Sequence, residues 1–287
     1  MVQKINQEAP KSALVVEGGA MRGIFAAGVL DSFIDSGYRP FDFCIGVSAG
    51  STNLAAWLAN QRGRSYKVIT DYSCRPEFID FKRFIKGGHW LDLDWLWDIT
   101  IREINIDAEA MASQPIPLYV VTTKVQTGEA VYIQATPDNL NELLKASCSV
   151  PIAYRQYPQI GDEPMTDGGV ADSIPVVKAY EMGARDITVV LSRPLGYTKS
   201  QVKNKWLVKK LLSEHPILAE AMISRADSYN RAIEFVNSPP EDCTLHVIAP
   251  PESFAVGRIT TDWKKLNAGY QLGIDASKSL NFAGEAM

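Results

Sequence analysis

Residues 43–50 read Phe43-Cys44-Ile45-Gly46-Val47-Ser48-Ala49-Gly50, and from about Ser51 to Ala59 the sequence becomes helical. An apolar run too short for a helix and closed by a glycine is a buried strand. The set Gly46-x-Ser48-x-Gly50 then puts one serine on the turn from that strand into its helix. Glycines on both sides relieve the crowding of so sharp a turn, which holds the serine Oγ clear of the backbone as a nucleophile requires.

The same order occurs just upstream. Ala13-Leu14-Val15-Val16 is short, apolar and β-branched and stops at Gly18-Gly19; from Arg22 onward Ile24, Phe25, Val29, Leu30, Phe33 and Ile34 recur at helical spacing until Gly37. Strand, helix, strand, helix implies parallel pairing, so the fold class is α/β: a layered sheet of mostly parallel strands with helices on both faces. Further on, strands are expected over 118–124 and 130–133, joined by a turn at 126–129. Helices are expected over 139–148 and 175–182, the latter capped by Ser173 and stopped by Gly183. Strands over 187–191 and 245–249 flank helical sequence from about 202 to 236. Residues 62–112 mix charges and aromatics without a clear period. No repeat or Gly/Ser linker divides the chain. The expected organisation is a polar arm over 1–12, a catalytic domain over 13–195 and a C-terminal extension of helices and a strand over 196–287, packed on the same domain.

Composition narrows the classes of function. The 287 residues are 46% hydrophobic and 22% charged, the usage of an ordinary globular protein, and the net charge of −4 argues against a dedicated nucleic-acid binder. The start, MVQKINQEAPKS, has no apolar core of a signal peptide, and no apolar run approaches the length of a membrane span. The expectation is a cytoplasmic protein that meets a membrane, if at all, peripherally at its inner surface. Four cysteines, Cys44, Cys74, Cys148 and Cys243, are widely spaced without a C-x-x-C pair, so buried reduced thiols are expected rather than a disulfide framework or zinc site. No acidic loop of the calcium-binding type occurs, and no metal or cofactor is expected.

Two more glycine turns bear on chemistry. Glu17-Gly18-Gly19-Ala20-Met21-Arg22-Gly23 lies between the first strand and its helix, where backbone N–H groups and a helix N-terminus can meet one anion. On residues alone it is a phosphate loop, an oxyanion hole or a plain turn; the dinucleotide version lacks its acidic residue, since Asp42 precedes a strand instead of ending one. Met165-Thr166-Asp167-Gly168-Gly169 holds a carboxylate in a turn, which by itself is an ordinary surface feature. A serine hydroxyl needs a base, however. The three histidines are His89 in the aromatic region, His215 near a helix start and His246 within a strand. The order Ser48, Asp167, then His215 or His246 fits a Ser-Asp-His triad; direct activation of Ser48 by Asp167 is the alternative.

Taken together and in this order, the three motifs resemble those of the patatin-like phospholipases, over roughly residues 13–191. The resemblance implies a serine lipid acyl hydrolase with a Ser-Asp dyad and no metal. Ser48 would be the nucleophile and Asp167 the proton acceptor. Gly18, Gly19, Ala20, Arg22 and Gly23 would form the oxyanion segment, with Ala20 where a third glycine is common. Gly46, Gly50, Gly168 and Gly169 would shape the motifs. The implied partner is an acyl lipid, and the tail from about Thr198 resembles that of bacterial members. The rival from another class is a non-catalytic lipid- or nucleotide-binding module that keeps the glycine loop for phosphate. Two weaker features remain. The stretch 89–97, with Trp90, Trp95 and Trp97, reads either as a lip that touches lipid or as a cap packed on the core. Lys199, Lys203, Lys205, Lys209 and Lys210 read either as a headgroup-attracting patch or as a solvated helix face.

Overall fold

The computed structural model describes residues 10–278. Residues 1–9 of the expected polar arm and 279–287 of the extension lie outside this range. Lys11 and Ser12, placed in the arm by their polarity, are the first residues of a strand. The strands are β1 (Lys11–Val16), β2 (Phe43–Val47), β3 (Leu118–Lys124), β4 (Ala130–Gln134), β5 (Gln159–Ile160), β6 (Glu163–Asp167), β7 (Ala184–Val190) and β8 (Thr244–Ile248). They form one sheet in the order β5-β6-β3-β2-β1-β7-β8, with β4 on β3. The pairings β3-β2, β2-β1, β1-β7 and β7-β8 are parallel, while β4 and β6 run antiparallel to β3. The mostly parallel layered sheet read from the sequence is the observed fold.

Helices cover both faces. In chain order they are α1 (Gly23–Ser36), α2 (Ala49–Leu58), α3 (Arg64–Lys67), α4 (Phe81–Ile85), α5 (Leu93–Ile104), α6 (Ala108–Ala112), α7 (Leu140–Cys148), α8 (Val176–Glu181), α9 (Lys205–Leu211), α10 (Pro216–Asn237) and α11 (Trp263–Lys278). Alternation along β1 divides the core in two. Leu14 and Val16 join Phe25 and Val29 of α1, Leu54 of α2 and Leu143 of α7 on one face; Ala13 and Val15 join Val176 and Ala179 of α8 and Ile233 and Val236 of α10 on the other.

The aromatic region contains helices. Asp92 accepts the Trp95 N–H and so starts α5, which buries Leu93, Leu96 and Ile99; the Trp97 indole donates to the Asn141 carbonyl at 2.9 Å. Charges at the other positions hid this period. Ser173 does not cap α8: its hydroxyl donates to the Gly169 carbonyl, and Pro175 occupies the cap position. Of the cysteines, Cys44 and Cys243 are buried, while Cys74 and Cys148 are partly exposed.

The extension enters the same sheet through β8 and clasps α1 through α11. This contact requires two glycines. A Cβ on Gly28 would lie 2.1 Å from the Tyr270 carbonyl oxygen, and one on Gly273 would lie 2.0 Å from that of Phe25. The Tyr270 hydroxyl also donates to buried Asp31 at 2.6 Å. In Gly28→Ala the helix propensity gain of about 1 kcal/mol opposes an overpacking cost of about 1–3 kcal/mol. The clash is with backbone and no rotamer relieves it. Gly28→Ala is therefore expected to lower the unfolding free energy by up to about 2 kcal/mol in urea denaturation; a stability gain would show that the two helices separate freely.

Candidate active site

The site is set by the two edges of β3. Along one, β4 pairs with residues 119–123. The other is shared: β2 pairs with residues 118–121, ending at Val47 opposite Val121, and β6 takes over at Thr122, which is opposite Asp167. Because β2 runs parallel and β6 antiparallel to β3, the two strands run toward each other. Ser48 leaves β2 and Asp167 ends β6 at neighbouring register positions. The sequence reading had Asp167 in a glycine turn and no strand before it; β6 is only five residues, Glu163–Asp167, and Pro164 interrupts its pattern.

Ser48 has φ 53° and ψ −125°, a conformation an L-residue rarely adopts, and is 6% exposed. Its neighbours hold it there. Its N–H donates at 2.8 Å to the Ser147 hydroxyl, which donates at 2.7 Å to the Val121 carbonyl. Gly46 and Gly50 leave room for the turn, since a Cβ on Gly50 would come within 2.5 Å of the Val16 carbonyl oxygen and one on Gly46 within 2.6 Å of the Ser51 Cα. Cys148 lies against the Ser48 hydroxyl, and burial, with the nearby Asp167 charge, pushes its thiol up to about 12 and keeps it neutral.

Asp167 is 5% exposed. Its carboxylate accepts the Gly169 N–H at 2.6 Å; its own N–H donates to the Ser149 carbonyl at 3.0 Å, and its carbonyl accepts from the Thr123 hydroxyl at 2.9 Å. Burial pushes the carboxyl above its ordinary range, and the Arg225 guanidinium, the Gly169 N–H, Arg258 and Lys199 pull it back.

In the glycine segment, Ala20 has φ +50°, a left-handed conformation that favours glycine, so the chain keeps the shape while departing from the residue. Its donors divide. The N–H groups of Gly18, Gly19 and Ala20 find no acceptor among the described residues, and all three residues line a cavity with Ser48 and Asp167. The Arg22 N–H is taken by the Gly19 carbonyl and that of Gly23 by Ala20 and Met21. The Arg22 side chain points to Ser192, donating to its carbonyl and hydroxyl at 3.1–3.2 Å, while the Ser192 N–H donates to Glu17 at 2.6 Å. Arg22 and Gly23, read from the sequence as oxyanion residues, brace the loop; their main-chain donors are committed inside it.

Two cavities meet at Ser48 and Ala20. One, about 990 Å³ including the space open to solvent at its mouth, is lined by Phe78, Leu91, Leu96, Trp97, Leu144 and Val150. The other, about 930 Å³ on the same measure, holds Asp167, Arg225 and Arg258. Neither is lined by a histidine. His89 lies 3.7 Å from Asp94, His215 packs on Tyr157, and His246 lies 3.2 Å from Asp186. Among the described residues no group of His, Cys, Asp or Glu could hold a metal ion. No helix there is long and apolar enough to cross a membrane.

Residues 14–180, more than half of the chain, match the family described as patatin-like phospholipase. The chain belongs to this family. Residues 215–279 match a domain of unknown function. The uncharacterized protein YjjU of Escherichia coli K12 is 32% identical over 268 residues, covering 91% of this chain and 74% of its own length. An uncharacterized NTE family protein of Mycobacterium bovis, Mb1092c, is 23% identical over 64% of this chain and 49% of its own, so the chain spans about half of that relative. Among solved structures, VipD from Legionella pneumophila aligns over 95% of this chain and 67% of its own, at 11% identity and a TM-score of 0.46. Membership makes lipid hydrolysis the class of activity that the site has to serve.

Ser147, Ser149 and Thr123 brace the site, yet small polar residues in a helix, a loop and a strand carry no sequence signal for such a role. Loss of the Ser147 hydroxyl strands a buried N–H and a buried carbonyl, each costing about 1–3 kcal/mol. Ser147→Ala is expected to lower the unfolding free energy by about 2 kcal/mol and to reduce kcat on a short ester more than it changes KM. An unchanged denaturation midpoint would show that the turn does not need the hydroxyl.

Proposed function

We propose that the protein is a serine lipid acyl hydrolase of phospholipase A or esterase type, in which Ser48 and Asp167 act as a dyad. The observation that carries this is the head-on meeting of β2 and β6 along one edge of β3, which brings the strained serine and the buried carboxylate together. The Ser48 Oγ attacks the acyl carbonyl and Asp167 takes the hydroxyl proton. The N–H groups of Gly18, Gly19 and Ala20 receive the oxyanion. The tetrahedral intermediate expels the alcohol, which leaves with the proton from Asp167. Water then gives its proton to Asp167 and attacks the acyl-enzyme; the second intermediate releases the fatty acid as the proton returns to Ser48. The cavity lined by Phe78, Leu96 and Trp97 suits the acyl chain, and the one that holds Asp167, Arg225 and Arg258 suits the rest of the ester. Peripheral contact with a membrane belongs to the same reading, since Phe81, Ile85 and Trp206 are 55, 70 and 65% exposed.

A fluorophosphonate probe should label the wild-type chain and not Ser48→Ala; an unlabelled wild type would favour a binding module. Asp167→Asn should lose ester hydrolysis by at least a thousandfold, since an amide is no base at neutral pH, while His89→Ala, His215→Ala and His246→Ala each keep most turnover. One folded histidine variant as damaged as Ser48→Ala would establish a triad instead.

Asp167 must be ionised to accept a proton, and burial raises its folded-state pKa. The acid limb of kcat/KM is therefore expected at a pH above the ordinary carboxylate value of about 3.9, with activity rising as Asp167 deprotonates. The same shift has the opposite sign for stability. Because the folded state holds this proton more tightly than the unfolded state, the Asp167 contribution falls as pH rises from the unfolded pKa through the folded one. At pH 7, Asp167→Asn should therefore be inactive and at least as resistant to urea as the wild type. A variant less stable at pH 7 than the wild type would contradict the burial cost.

A further inference from the structure

A third cleft, of about 820 Å³ including its open mouth, has Arg22 of the glycine segment in its wall. Its walls carry Arg22, Arg193, Lys199, Arg225, Tyr229 and Arg258. Arg225 also lines the cavity that holds Asp167, and Arg258 lines both cavities that contain Ser48. The cleft thus shares two of its wall residues with the candidate active site. We propose that it binds a phosphate group, carried on a lipid headgroup or free in solution.

Charge is the first argument. Four guanidinium groups and the Lys199 amino group converge here with two carboxylates close by, Glu17 and Asp167. Both carboxylates are already engaged, Glu17 by the Ser192 N–H and Asp167 by the Gly169 N–H. Among the described residues none of these five basic groups forms an ion pair. Lys199 and Arg193 lie instead against aromatic rings, with Nζ 4.3 Å from the Tyr229 ring centre and Cζ 4.6 Å from that of Tyr197, which leaves their N–H edges free. Holding like charges together away from water is costly. Burial, with Arg225, Arg258 and Arg22 nearby, pushes the Lys199 ammonium down to about 6, and burial pushes Arg22 down to about 10. Lys199, read from the sequence with its neighbours as either a headgroup-attracting patch or a solvated helix face, lines this cleft, while Lys203, Lys205, Lys209 and Lys210 are exposed.

Unused donors are the second argument. Arg22 and Tyr229 are each 2% exposed, and the Arg22 Nη1 and Tyr229 hydroxyl have no hydrogen-bond partner; nor do the buried Nε atoms of Arg193 and Arg225. A buried donor without an acceptor is destabilising, and more so when charged. A carboxylate has two oxygens to offer this set, whereas a phosphate has three or four and a second negative charge, which fits planar guanidinium donors arriving from several sides. Arg225, Tyr229 and Arg258 all lie in residues 215–279, the segment matching a domain of unknown function, so phosphate recognition gives that segment a role.

Only the assignment of the phosphate to a substrate headgroup rests on the hydrolase reading. The test uses full-length Ser48→Ala, which leaves lipid uncleaved, with calorimetric titration of inorganic phosphate, dihexanoylphosphatidic acid and dihexanoylglycerol. Inorganic phosphate is expected to bind, and Arg193→Gln combined with Lys199→Gln to weaken it at least tenfold. Phosphatidic acid binding at least tenfold more tightly than both phosphate and dihexanoylglycerol identifies a headgroup site; equal binding of phosphate and phosphatidic acid identifies a site for the free anion. If neither phosphate-bearing probe binds, or if the double variant binds them as the parent does, the proposal is overturned. Should circular dichroism show the double variant unfolded, Arg193→Gln alone is read against a threefold loss. Failure of the hydrolase reading appears separately, as absent fluorophosphonate labelling of the wild type.

Discussion

Ser48 and Asp167 meet because β3 offers one edge to two strands that run toward each other. Backbone hydrogen bonding spaces residues along that edge, so Val47 opposite Val121 and Asp167 opposite Thr122 cannot drift apart without breaking the ladder. Everything else in the site works around this register. Ser147 ties the Ser48 N–H to the Val121 carbonyl, and Thr123 and Ser149 hold the Asp167 backbone, so both residues are braced by polar groups of β3 and of the C-terminal end of α7.

The arrangement concentrates strain and unmet polar demand in one place. Ser48 and Ala20 both have positive φ, the Asp167 carboxyl is buried, and three successive N–H groups in the glycine loop, whose residues line the cavity, have no acceptor among the described residues. Each feature costs stability, and each would serve the proposed acyl transfer: a serine held on a tight turn, a carboxylate made more basic by burial, and N–H donors left open for a developing negative charge. The two-faced apolar core and the close α1–α11 contact supply the compensating stability.

The C-terminal segment belongs to this economy as well. Its helix α11 lies on α1, the helix that the glycine loop starts, and the Arg258 carbonyl accepts the Met21 N–H in that loop at 3.3 Å. Its other helix, α10, carries Arg225 toward Asp167 and Tyr229 toward Arg22. A segment that follows the family-matching residues in sequence therefore reaches the loop and the carboxylate in space, and it does so with cations.

The alternation of short apolar runs with helical periods was enough to read a parallel layered sheet, because burial on both faces leaves strands uniformly apolar and the period changes sharply at each glycine. The strand-to-helix turn at Ser48 was equally legible, since Gly46 and Gly50 are imposed by local crowding. Much of the remainder depends on contacts between distant residues. Asp167 gained its strand only from pairing with β3, as five residues containing a proline carry little β signal. The split of the glycine segment into three open donors and two committed ones followed from which carbonyls came within reach after folding. The helices in residues 62–112 were masked by interleaved charges. The basic cluster joins residues 22, 193, 199, 225, 229 and 258. Local sequence determined where the chain must turn and what it must bury; only the tertiary structure decided which polar groups meet, because hydrogen bonds and charges act over a few ångströms of space whatever the separation along the chain.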